Sequence, residues 1–171
     1  MLSKAAAAII PSGPEIRLRT AIAADETFMR RMFKTSRAGD FAAAGLPPAA
    51  LDMLLEQQFR AQSAGYKAQF PDAVSLIILR HDEPIGRLML SIGDRRWRIV
   101  DIILLPSARG CGIGTDIIGA VALAARAQGV LELVLSVLST SVAARRLYLR
   151  LGFTETGEGV VHIEMTKPLV A

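Results

Sequence analysis

The stretch Pro106-Ser-Ala-Arg109-Gly110-Cys111-Gly112-Ile113-Gly114-Thr115 follows an apolar run and precedes a helical one, so it reads as strand, glycine turn and helix. Alternating glycines let backbone approach a ligand with no Cβ in the way, and the free N–H groups of the following helix point at it. Such a turn suits an anion, above all a pyrophosphate, and Arg109 adds a full positive charge. A Walker loop requires lysine between the last glycine and Thr115, where this chain has none. The dinucleotide fingerprint requires Gly-x-Gly-x-x-Gly with an acidic residue about twenty positions on, and this loop runs Gly-x-Gly-x-Gly without one. Asp101 interrupts the apolar strand Ile99-Val-Asp-Ile-Ile-Leu-Leu105. A charge there is costly unless paired or put to use. It is a candidate general base, direct or through water, and also a candidate for a structural ion pair or a hydrogen bond to backbone, with Arg96 and Arg98 nearby in sequence. Cys111 stands beside a helix start, yet neither His81 nor His162 stands in a motif that makes it a base for a nucleophilic cysteine. The two histidines and one cysteine have no metal-ligand spacing, so no metal is expected.

These residues need a scaffold, and the pattern supplies one. Glu15 to Arg19 alternates as a short strand; Asp25 starts a helix pairing Phe28 with Met32 and Met29 with Phe33; Pro47-Pro48 opens a second helix carrying Leu51, Leu54, Leu55 and Phe59. Val74 to Leu79 and Pro84 to Ser91 flank a turn at His81-Asp-Glu, and Gly93-Asp94 leads into Arg96 to Leu105. Asp116 to Gln128 is an apolar helix ending at Gly129, followed by an alternating strand from Leu131 to Val137. A helix then runs from Ser141, placed to cap it, to Gly152. Strands Phe153 to Thr156 and Val160 to Thr166 close the chain around Gly157-Glu-Gly159.

Arg109-x-x-Gly-x-Gly after a strand resembles the acetyl-CoA loop of the GCN5-related N-acetyltransferases. Some thirty residues on, Ser141-Val-Ala-Ala-Arg-Arg-Leu-Tyr148-Leu-Arg-Leu-Gly152-Phe153 is similar to a second family motif, Asn-x-x-Ala-x-x-Leu-Tyr-x-x-x-Gly-Phe. Ala144, Leu147, Tyr148, Gly152 and Phe153 fall in register, while Ser141 replaces the usual asparagine and reaches less far toward a pantetheine amide. The resemblance implies an α/β fold, a mixed and mostly antiparallel sheet flanked by helices, and transfer of acetyl from acetyl-CoA to a primary amine by direct attack. In that reading Tyr148 is the general acid for the leaving thiolate. The fourth strand gives backbone contacts to pantetheine at Ile103, Leu104 and Leu105, and an N–H near Leu104 meets the carbonyl oxygen. Arg109, Gly110, Cys111, Gly112, Ile113, Gly114 and Thr115 cradle the pyrophosphate; Arg145 or Arg146 meets the adenosine 3′-phosphate. Phe41, Leu46, Tyr66 and Trp97 are candidates to line the acceptor pocket. The alternative is a module that holds acyl-CoA for sensing or scaffolding without turnover.

The 171 residues bound the rest. Half are hydrophobic and a fifth charged, enough for one globular domain without staples. Residues 1–14 read as a flexible arm ending at Pro11-Ser-Gly-Pro14, and 15–171 as a single N-acetyltransferase domain. The apolar stretch Ala5 to Ile10 is too short for most signal peptides, no run approaches a membrane span, and the lone cysteine fits a cytoplasmic protein. A net charge of +4 spread over scattered clusters suits an anionic cofactor and argues against nucleic acid. Family members often form dimers, which carries over as an expectation of a homodimer.

Overall fold

In the computed structural model, which describes residues 2–169, seven strands form one sheet in the order β1-β2-β3-β4-β5-β7-β6. The strands are β1 (Ile16–Thr20), β2 (Val74–Arg80), β3 (Glu83–Ile92), β4 (Arg96–Leu104), β5 (Glu132–Leu138), β6 (Thr154–Glu158) and β7 (His162–Pro168). The helices are α1 (Leu2–Ala7), α2 (Glu26–Arg37), α3 (Pro48–Gln69), α4 (Ile113–Ala127) and α5 (Val142–Arg150). Only β4 and β5 pair in parallel, which α4 permits as the crossover between them. The mixed, mostly antiparallel α/β sheet expected from the sequence is the one observed.

Alternation along β2 assigns the two faces. Leu76 and Ile78 belong to the main core with Ile117, Val121 and Ala125 of α4, while Ile77 and Leu79 pack with Phe28 and Met32 of α2 on the other face. Each face thus has its own helices. The β2–β3 turn is two residues long, with φ of 50° at His81 and 65° at Asp82, the mirror-image turn that matches strand twist. Between α2 and α3, Glu56 receives Arg30 and Lys34 from one helix and Arg60 from its own, an ionic seam along their exposed side.

The N-terminal segment departs from expectation. It is not a free arm: Leu2–Ala7 is helical, and Ala6 and Ile9, each 4 % exposed, join the main core. So short a helix would not persist alone, and burial of its apolar side is what holds it. Two caps differ as well. Asp25 opens α2 but makes no capping bond to it; both its oxygens accept from Arg19 at 2.7 Å, and one also accepts from the Ile22 N–H. Ser141 occupies the N-cap of α5, yet its hydroxyl makes no capping bond. The last turn lies later than read, β6 ending at Glu158 and β7 starting at His162.

Candidate active site

The site begins with an irregularity in β4. Its register against β3 slips between Met89↔Asp101 and Leu90↔Ile99, leaving Val100 as an extra residue. Trp97 and Ile99 belong to the main core; strict alternation would send Asp101 there too. The bulge reverses the parity, so that Ile102 and Leu104 pack against the main core while Ile103 and Leu105 meet the α2 side. Asp101 is thereby delivered to an open cleft. Pairing with β5 ends at the same place: β4 matches β5 from Arg96↔Glu132 to Ile99↔Leu135 and no further. Beyond it β4 stays with β3 as far as Leu104, and β5 stays with β7 as far as Leu138. The sheet splits into a V.

A cleft of about 560 Å³ fills this V, lined by Ile99, Val100, Asp101 and Ile102 of β4, Leu135, Ser136 and Leu138 of β5, Tyr148 of α5, His162, and Arg37, Gln62, Tyr66 and Gln69 from α2 and α3. Both candidate catalytic side chains therefore line one cavity. The Asp101 carboxylate accepts from Arg87 Nη2 at 2.5 Å, with the two side chains 21 % and 12 % exposed. The partner is thus a cross-strand arginine of β3; Arg96 and Arg98, its neighbours in sequence, bind Glu132 and Glu164. Arg87 also touches the Met29 sulfur, while its buried Nε has no acceptor among the described residues.

Tyr148 owes its place to the end of α5. Gly152, at φ 86°, donates its N–H to the Leu149 carbonyl, and Phe153 donates to Tyr148. This paired terminus normally brings the two flanking apolar side chains together. Here they are Tyr148 and Phe153, edge to face with centroids 5.8 Å apart. Burial, and then the charge of Asp101, push the Tyr148 phenol above its ordinary pKa. The same two causes, partly opposed by Arg87 and Arg37, push Tyr66 up to about 12. Both phenols hold their protons at neutral pH.

Of the proposed backbone contacts, Leu104 alone faces the gap. Leu105 donates its N–H to Ile85, and the Ile103 carbonyl lies where a Cβ on Gly86 would be only 2.5 Å away, so both turn their peptide groups to β3. Alternation then directs the peptide group of Leu104 away from β3, with its carbonyl accepting from Arg109 Nε at 3.0 Å. In the loop, Gly110 and Gly112 have φ of 74° and 78°, a left-handed conformation that L side chains rarely adopt, with open space where their Cβ atoms would be. Gly112 is the N-cap of α4 and no side chain caps that helix, so the N–H groups of Ile113, Gly114 and Thr115 have no partner in the helix. Thr115 lies within the first turn and is not its cap. Arg109 and Cys111 are exposed beside them, and Ile113 is buried as the anchor. An exposed glycine turn feeding an uncapped helix of this length fits a pyrophosphate.

Two expectations fare less well. Arg145 is committed to Glu155, at 2.6 and 3.0 Å, which leaves Arg146 as the one of the pair without an ion-pair partner among the described residues. Trp97, 1 % exposed, is core, and Phe41 and Leu46 do not reach the cleft, so Tyr66 is the acceptor-pocket candidate that lines it. Arg87 and the bulge at Val100 escaped the sequence reading.

Known proteins repeat this architecture. The PaiA N-acetyltransferase of Thermoplasma acidophilum, solved with coenzyme A, superposes at a TM-score of 0.67 and 17% identity over 90% of this chain and 98% of that one. The ribosomal-protein-S18-alanine N-acetyltransferase of Escherichia coli gives 0.65 at 15% identity, over 91% and 95%. The YncA protein of Salmonella typhimurium, solved with its cofactor acetyl-CoA, gives 0.57 at 20%, over 91% and 95%. Residues 47–153, more than half the chain and both motifs with the helices and strands between them, match the model of the Acetyltransferase (GNAT) family, and the chain belongs to that family.

Proposed function

We propose that this acetyl-CoA-dependent N-acetyltransferase works at the split between β4 and β5, with Tyr148 as general acid and Asp101 as the carboxylate that takes the acceptor's proton, directly or through water. The observation that carries the reading is the coincidence of three things at one point: the bulge, the end of β4–β5 pairing, and a cleft lined by both side chains. Bound acetyl-CoA supplies the acetyl thioester.

The chain's own groups then divide the work. The loop from Arg109 to Thr115 holds the pyrophosphate, and the N–H of Leu104, turned to the gap, is the donor for the thioester carbonyl oxygen. Ser141, with a free hydroxyl, and Ile102, two residues before Leu104, are further polar contacts along the pantetheine arm. Arg146 replaces Arg145 as the residue for the 3′-phosphate, since it needs no ion pair broken. Asp101, held by Arg87 through one oxygen, keeps the other for the ammonium of the acceptor. Tyr148 keeps its proton until the thiolate leaves. Two proton-handling groups lining one cleft favour turnover over a module that only holds acyl-CoA.

The acceptor is an amine small enough, or with a segment small enough, to reach Asp101 past Tyr66. Nucleic acid is not a proposed partner: arginines 96, 98 and 145 are spent on Glu132, Glu164 and Glu155. No described helix is long and apolar enough to cross a membrane, and the exposed free Cys111 suits a reducing, cytoplasmic setting. Residues 15–171, together with the N-terminal segment packed on their core, act as one catalytic domain, and a homodimer is carried over from the family.

The test is calorimetry with acetyl-CoA on wild type and Gly112→Trp, followed by an amine panel monitored by coenzyme A release with wild type and Tyr148→Phe. Binding lost in the loop variant and release slowed in the tyrosine variant support the reading. Binding without release from any amine would favour the holding module.

A further inference from the structure

We propose that the N-terminal segment acts on the acetyl-CoA site through Asp116: the turn at Ser12–Gly13 clamps this carboxylate and keeps its charge off the anion-binding end of α4. The inference rests on the reading of the glycine loop as the pyrophosphate site. Asp116 is in the first turn of α4, one residue after Thr115. A carboxylate in that position is attracted to the positive end of its own helix, and the same attraction makes it a competitor for an incoming phosphate. In this chain both its oxygens are already engaged. Its Oδ1 accepts from the Ser12 N–H at 2.9 Å and from the Ser12 hydroxyl, and its Oδ2 accepts from the Gly13 N–H at 3.0 Å. Three donors on one carboxylate fix its direction and spread its charge.

The clamp has its own foundation. Ala6 and Ile9 are buried in the main core, and α1 packs on β1 and β2, so the turn that follows is tied to the sheet and not to α4 alone. The donors therefore draw Asp116 toward a fixed point. Partial burial raises the pKa of this carboxyl, but the Ser12 hydroxyl and the Gly13 and Ser12 N–H groups outweigh burial and hold it below the usual carboxylate range. Asp116 stays charged, which is why its direction matters to a phosphate nearby. It is a positioning residue, since it reaches the cofactor site through the helix end and not by contact.

The experiment is the dissociation constant for acetyl-CoA, measured by calorimetry on the full chain, which needs no knowledge of the acceptor. Ser12→Pro removes both donors of residue 12; Ser12→Ala removes the hydroxyl alone. A carboxylate released near a helix N-terminus opposes an incoming anion, an effect that salt screens, so Ser12→Pro should weaken binding about two- to fivefold at low salt and Ser12→Ala by less. Adding Asp116→Asn to either variant should restore most of the loss, because an amide cannot repel the phosphate. Wild-type affinity in both Ser12 variants overturns the proposal. So does weakened binding that Asp116→Asn leaves unrepaired, which would mark a loosened scaffold. Ser12→Ala carries the test where Ser12→Pro fails to fold. Absence of binding in wild type would instead sink the reading of the glycine loop.

Discussion

Tyr148 can act as an acid only while it keeps its proton, and both burial and the charge of Asp101 keep it on. Replacing the hydroxyl by hydrogen should therefore remove the acid step and little else: Tyr148→Phe is expected to slow coenzyme A release about 100-fold, with the acetyl-CoA dissociation constant unchanged. Equal loss in both would mean that the phenol binds and does not react. The sign of the pH effect follows from the same surroundings. A phenol raised above its ordinary value is neutral at all lower pH, so an alkaline limb of activity due to Tyr148 falls above the ordinary phenol range. Asp101→Asn removes one of the two causes and should move the Tyr148 titration downward. The chain has only two tyrosines, so a Tyr66→Phe background lets ultraviolet titration of tyrosinate read Tyr148 alone. No downward movement would separate the two groups electrostatically and weaken the case for a shared site.

At the scale of elements, what the site needs most is that β4 leave β5 and stay with β3. Gly86 makes this approach possible: a Cβ there would sit 2.5 Å from the Ile103 carbonyl oxygen and 2.7 Å from the Leu104 side chain. Gly86→Ala must push β4 away from β3, at a cost of about 1–3 kcal/mol, and the displaced segment carries Leu104. Chemical denaturation should show the loss, and calorimetry a weaker hold on acetyl-CoA; retention of both would mean that the two strands separate freely. Asp25 does comparable work where β1 leads toward α2. Its hydrogen bonds to Arg19, and less strongly the Ile22 N–H, outweigh burial and hold its pKa at about 2, against 3.8 unfolded. A lowered carboxyl pKa stabilises the fold fully above the unfolded value and loses that stability as pH falls through the folded one. Asp25→Asn should therefore lower the unfolding midpoint at pH 7 and flatten the decline between about pH 4 and pH 2. These elements differ in how far the sequence reveals them. Gly129 and Gly152 end helices by local backbone preference, and the β2–β3 turn lies between two alternating runs, so each was legible from its own neighbours. The bulge at Val100 and the Arg87–Asp101 pair depend on which residues of two strands face each other, and no local pattern carries that register. The α1 helix was hidden for another reason: its stability comes from burying Ala6 and Ile9, which an alanine-rich run does not announce.

The whole molecule couples these sites because acetyl-CoA, seated between the two arms of the V, would touch both halves of the sheet. Strands β1 to β4 form one half and β5 to β7 the other, joined through four residue pairs of β4 and β5 and through α4 on the main-core face. A ligand in the gap substitutes for the pairing that β4 and β5 give up, and it binds the folded state only. Saturation at a hundred times the dissociation constant then adds about 2.7 kcal/mol to stability. For a domain of this size that corresponds to a rise of about 5–11 °C in the unfolding midpoint. Acetyl-CoA should produce the rise in wild type and in Tyr148→Phe alike, since the acid is not a binding group, and should lose most of it in Gly112→Trp. 3′-Phosphoadenosine 5′-diphosphate alone, which keeps the pyrophosphate and lacks the pantetheine arm, should produce a much smaller one. An equal rise from the nucleotide fragment would place the binding energy at the glycine loop and Arg146 and leave the gap between β4 and β5 idle. A rise confined to the whole cofactor would show that filling the gap is what joins the two halves.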